Sequence, residues 1–139
     1  MSIALSTAIL VLIILLLIMI SAFFSSAETA LTAASEARIR QLAKTKANRQ
    51  AMRVEKLRKN KEELISTILV GNNLVNILAS ALATSAAISL TGDGGVALAT
   101  LVMTVIIVLF AEVLPKSYAF NNADRFSLKI ALIVQIIVW

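Results

Sequence analysis

The stretch IALSTAILVLIILLLIMISAFF, Ile3 to Phe24, decides the fold. It carries no charge, and at about 1.5 Å per residue it is long enough to cross the roughly 30 Å hydrocarbon core of a bilayer. No Lys or Arg precedes it, and it is too long for the apolar core of a signal peptide. It therefore reads as a retained transmembrane helix. Glu28, Glu36 and Arg38 then mark the exit from the membrane.

Two further apolar blocks follow. One runs over about 64–90 and is less greasy, with Ser66, Thr67, Asn72, Asn73, Asn76, Ser80, Thr84 and Ser85 inside it. After a Gly-rich turn at Thr91–Gly95, the other runs over 96–114 and is closed by Pro115. A last apolar run, 126–139 with Lys129 inside it, is too short for an ordinary span. It reads as a juxtamembrane or re-entrant helix, or as a span cut off by the end of the chain. Of the 139 residues, 59% are hydrophobic and the mean hydropathy is +0.90. The expectation is one all-α integral membrane domain, 1–139, with three transmembrane helices.

The charge is as uneven as the hydropathy. Of 13 Lys and Arg residues, all but Lys116, Arg125 and Lys129 lie between Arg38 and Lys61. Flanked by apolar blocks, that run is a cytoplasmic loop rather than a nucleic-acid patch. The segment 35–61 reads as one or two amphipathic helices. Their apolar members Ile39, Leu42, Val54 and Leu57 would rest on the bilayer, and their cations would face anionic lipid head groups. The turn at Gly92–Gly95 has no basic residue, so the N-terminus is expected outside and the C-terminus in the cytoplasm.

There is no Cys and no His. Disulfides, thiolate catalysis and imidazole ligation are excluded, and any bound metal must be a hard cation held by oxygen, with Mg²⁺ the leading candidate. Without paired carboxylates at one place, the chain does not read as an enzyme.

Polar residues at membrane depth carry the functional information. Ser21, Ser25, Glu28 and Thr32 share one helical face. The alternative for Ser25-Ser26-Ala27-Glu28 is a capping box that starts a new helix. Asn72, Asn76, Ser80 and Thr84 form a slowly winding stripe at four-residue spacing, with Asn73 about 100° away from Asn72. The alternative is interhelical glue, worth about 0.6–2 kcal/mol per group, helped by small Ala79, Ala83 and Ala87. Gly71 leaves room for another backbone or an ion to approach. Thr100, Thr104 and Glu112 recur at multiples of four. Glu112 is the one carboxylate within the apolar runs of the last two spans, and its alternative is an i,i+4 pair with Lys116. Pro115 would kink this turn and free carbonyls near Ala111. Hydroxyls, amides and a carboxylate on three helices make an oxygen-donor cation site.

At these same residues the chain resembles a known family. Phe23-Phe24-Ser25-Ser26-Ala27-Glu28-Thr29-Ala30-Leu31, Gly71-Asn72-Asn73-Leu74-Val75-Asn76-Ile77 and Ala111-Glu112-Val113-Leu114-Pro115-Lys116 look like the signature stretches of the CorB/CorC and cyclin M (CNNM) proteins. These are magnesium and cobalt efflux proteins, once called hemolysin-like. The resemblance implies a homodimeric inner-membrane domain that moves Mg²⁺ by alternating access from an inward-facing site, with Co²⁺ as a further substrate and Na⁺ as a candidate coupling ion. It implies ligands at Ser21, Ser25, Asn72, Asn76 and Glu112, with Asn73 and the Ala111 carbonyl less firmly placed. Gly71 and Pro115 would shape the helices. It also implies cytosolic CBS modules beyond Trp139, so the chain would be a truncated piece. Two departures stand out: Ala27 lacks a hydroxyl that many members have, and Ala111 replaces a common Gly. The rival reading is a dimerising scaffold or Mg²⁺ sensor with a structural polar interface.

Overall fold

The computed structural model describes residues 3–45 and 48–138. Among them the chain is all helix: α1 (Ile3–Ala33), α2 (Glu36–Thr45), α3 (Arg49–Lys59), α4 (Lys61–Thr91), α5 (Gly95–Ile106), a π-helical segment (Ile107–Val113), α6 (Leu114–Asn121) and α7 (Ala123–Val138). Three helical stretches are long and apolar enough to cross a membrane: Ile3–Ala33, Lys61–Thr91 and the continuous Gly95–Asn121. This is an integral membrane fold.

The first span runs further than its uncharged stretch. α1 continues through Ser25 and Glu28 to Ala33, so no capping box starts a new helix there. On the polar face of α1, Ser21 and Ser25 are buried, and so is Ser26 beside them. α4 packs antiparallel along α1. The chain turns back at Gly92, whose φ of 75° favours a residue without Cβ.

Pro115 does not close the third span. A proline in a regular α-helix clashes with the carbonyl four residues earlier. Here the i→i+5 bonding of Ile107–Val113, seen where the Leu114 amide donates to the Leu109 carbonyl, carries the helix past it to Asn121. Ala111 of the π segment and Ala119 of α6 are buried on the stretches that pack on α1, while Met103 is buried on α5, which packs on α4.

The basic segment is a hairpin of α2 and α3; Lys46 and Ala47 lie outside the described residues. Asn48 caps α3 by accepting from the amides of Gln50 and Ala51 at 2.9 and 3.2 Å. Ile39, Val54 and Leu57 do not rest on the bilayer. They are buried in a core with Leu31, Leu64, Ile130, Ala131 and Val134, because the apolar stripe of α7 covers them. Leu42 packs against the edge of that core. The final apolar run is thus one face of an amphipathic helix lying on α1 and α3.

Distant residues clamp the junction between α1 and α2. Arg58 Nη1 donates to the Ala34 carbonyl at 2.9 Å, at the negative end of α1. Asp124 Oδ1 accepts the Ser35 amide at 2.6 Å, and its other oxygen pairs with Arg38 at 3.4 Å, at the positive end of α2. Asp124→Ala is expected to lower unfolding stability by about 1–2 kcal/mol, the worth of a charged helix cap. Thermal unfolding checks the loss, and faster hydrogen exchange at Ser35 would locate it.

Candidate functional site

The polar residues of α1 and α4 meet directly. Ser21 Oγ donates to Asn72 Oδ1 at 2.6 Å, in a buried contact between the two spans. One turn along α1 lies Ser25, fully buried, and one turn along α4 lies Asn76. Ser25 Oγ and Asn76 Oδ1 are both buried without a hydrogen-bond partner. Such orphans are rare, and each costs about 1–3 kcal/mol when left unsatisfied.

The third span joins at the same depth. Ser26 Oγ donates to the Pro115 carbonyl at 3.3 Å, which sets the register of α6 on α1. Because these two spans run parallel, Glu112 lies about one turn from that contact, on the Ser21 side. Its side chain is half-buried, and Ala111 beside it is fully buried. No ion pair joins Glu112 to Lys116; among the described residues the ion pairs are Arg38–Asp124 and Arg40–Glu36.

Two residues behave differently from the expectation. Asn73 is exposed, on the side of α4 turned away from α1, so it is not brought to the other oxygens. Gly71 makes room for neither a backbone nor an ion: a Cβ there would lie 3.0 Å from the Phe24 ring. Phe24 is thus the neighbour that lets α1 and α4 approach at the level of the Ser21–Asn72 contact. Ser26 and Phe24 are contributors that spacing did not single out. Ser26 is adjacent to the stripe, and nothing in a sequence says which residue will fill the space over a glycine.

The donor set is hydroxyl, amide and carboxylate oxygen. No three His, Cys, Asp or Glu side chains cluster among the described residues, so a multi-carboxylate or imidazole centre is not what the fold assembles. Neutral oxygens with a single carboxylate suit a hard cation of small radius, for which Mg²⁺ takes about six ligands near 2.1 Å. Ser25 Oγ and Asn76 Oδ1 are the kind of orphaned acceptors such an ion would satisfy.

Residues 12–139 match the family described as cyclin M transmembrane N-terminal domain. The chain is 54% identical over 100 residues to the UPF0053 inner membrane protein YfjD of Escherichia coli, covering 72% of this chain and 23% of that protein. It is 44% identical over 126 residues to a UPF0053 protein of Haemophilus influenzae, covering 91% and 29%. A chloroplastic DUF21 domain-containing protein of Arabidopsis thaliana is 40% identical over 120 residues, covering 86% and 18%. The chain thus spans about a quarter of the length of these curated relatives.

Proposed function

This chain belongs to the cyclin M transmembrane-domain family, and we propose on that premise that it binds Mg²⁺ between its three spans and moves it across the membrane. The observation that carries the reading is the pair of partnerless buried oxygens, Ser25 Oγ and Asn76 Oδ1, flanking the Ser21–Asn72 contact. Glu112 supplies the charge. Ser21, Ser25, Asn72 and Asn76 supply neutral oxygens, and the Ala111 carbonyl within the π segment is a further donor. Stripping water from Mg²⁺ is slow and costly, which favours alternating access over an open pore. Co²⁺ is a second substrate class, and Na⁺ is the candidate coupling ion.

In this reading the protein sits in a bacterial inner membrane as a homodimer, with the N-terminus outside and the α2–α3 hairpin in the cytoplasm among anionic head groups. Cytosolic CBS modules following this domain would act on it through α7.

The Ser21–Asn72 hydrogen bond also favours a second reading, a dimerising scaffold or Mg²⁺ sensor in which the amides are helix glue. Asn72→Ala and Asn76→Ala separate the two. The transport site predicts that the detergent-purified protein binds Mg²⁺ by calorimetry, and that both variants lose at least about tenfold in affinity (about 1.4 kcal/mol) at unchanged oligomer size. Glue predicts loss of assembly. A folded wild type with no Mg²⁺ binding would overturn the transport reading.

A further inference from the structure

Ser25, Glu28 and Thr32 lie within about 40° of Ser21 around α1. Along that strip exposure rises toward the α2–α3 hairpin: Ser21 and Ser25 are fully buried, Glu28 is half-buried and Thr32 is exposed. In the other direction, Ile14 and Ile18 are buried with Ala79 and Met103 in an apolar cluster. The packing of the spans explains the difference. α4 packs on α5 at the apolar end, and it barely meets the π segment or α6. Ser21 touches α4 and Ser26 touches α6, so the strip borders the gap where those two helices part. The level of the Ser21–Asn72 contact is thus closed by apolar packing on the Gly92 side and opens past Glu28 on the hairpin side.

Chemistry adds a second argument. Thr32 Oγ1 bonds the Glu28 carbonyl and not its carboxylate, which takes part in no ion pair among the described residues. One turn further in, the fully buried Ser25 Oγ has no partner. The surroundings otherwise repel a cation, with ten Lys and Arg against four Glu from Glu36 to Glu63. A carboxylate at the mouth offsets that field where an ion must pass. The Ser26–Pro115 contact puts Glu28 and Glu112 five residues apart along the axis, or about 7–8 Å. One Mg²⁺ with ligands at about 2.1 Å does not bridge that separation, but it keeps several of its waters when a single carboxylate holds it. Two such carboxylates are two stations.

We infer that Glu28 is a loading residue, which holds a divalent cation with most of its water shell at the mouth of the cleft before the ion reaches Glu112. The inference rests on the transport reading, and it gives that path its entrance on the hairpin side.

Mn²⁺ is the probe, read by its broadening of a nitroxide attached at Ala33→Cys, an exposed position near the mouth in a chain without other cysteines. The label is carried on the Glu112→Gln variant, so that the deeper station is silent. Mn²⁺ is expected to broaden the signal in a saturable titration, and Glu28→Gln to raise its half-point at least about fivefold. Glu28→Asp, which restores the charge, should keep the half-point within about threefold. So should Glu36→Gln, which removes an exposed carboxylate close to the label. A half-point that Glu28→Gln leaves unmoved would overturn the loading residue. An equal shift from Glu36→Gln would do the same, because the binding would then belong to that end of the molecule as a whole. Mg²⁺ calorimetry on the unlabelled wild type keeps the two proposals apart. Binding there without Glu28-dependent broadening sinks the loading residue alone, and Glu28-dependent broadening without calorimetric binding sinks the transport reading alone.

Discussion

Glu112→Gln is expected to weaken Mg²⁺ binding by at least about 100-fold, close to 3 kcal/mol, while leaving the protein at least as stable to heat. Each half of this result follows from where the carboxylate sits. Glu112 is half-buried on the π segment, with no ion pair to Lys116 or any other cation among the described residues. Holding an uncompensated carboxylate at membrane depth costs about 2.5–3.5 kcal/mol near the helix centre and less toward an end, and the amide removes that cost. The same charge is the main attraction for a divalent ion among otherwise neutral oxygens. Calorimetry paired with thermal unfolding in detergent reads both halves. An affinity within about threefold of wild type would remove Glu112 from the site.

Gly71→Val should damage stability and affinity together. A Cβ at 71 already meets the Phe24 ring at 3.0 Å, and the two further methyls have no room. Overpacking of this kind costs about 1–3 kcal/mol. The spans must also separate at the level of Ser21 and Asn72, whose 2.6 Å contact cannot survive a shift of an ångström. Adding Phe24→Ala to Gly71→Val should return much of the lost stability, because the two sites share one space. If the double variant is as damaged as the sum of the singles, Gly71 is not there for Phe24.

The three spans were legible because length without charge is a one-dimensional property of a sequence. Their ends were not. Ser25-Ser26-Ala27-Glu28 could have been a capping box that starts a new helix, since sequence does not say that Ser25 and Ser26 turn inward while α1 runs on to Ala33. Ile39, Val54 and Leu57 looked like bilayer contacts because their cover, Ile130 and Val134 of α7, is remote in the chain. Pro115 looked like a stop, and the residues before it absorb it by changing helix type. At the site, four-residue spacing placed Ser21 and Asn72 each on a polar face, and the packing of α1 on α4 joins them in one hydrogen bond. The same spacing set Asn73 about 100° from Asn72, and in the structure Asn73 is exposed. The Asp124 clamp on Ser35 joins residues with no periodic relation, so no pattern could announce it.

The π segment leaves the third span divided into two halves with independent phase. The N-terminal half is held by the Gly92 turn and α4, the C-terminal half by the Ser26–Pro115 contact. Between them sits one residue more than a regular helix would use. Passing that residue from one half to the other would screw the C-terminal half by about 100° and 1.5 Å against the N-terminal half, while the ladder stays closed elsewhere. Glu112 lies inside the interval that such a step would sweep. The span therefore holds its only carboxylate at the one place where a helix can turn a side chain without bending.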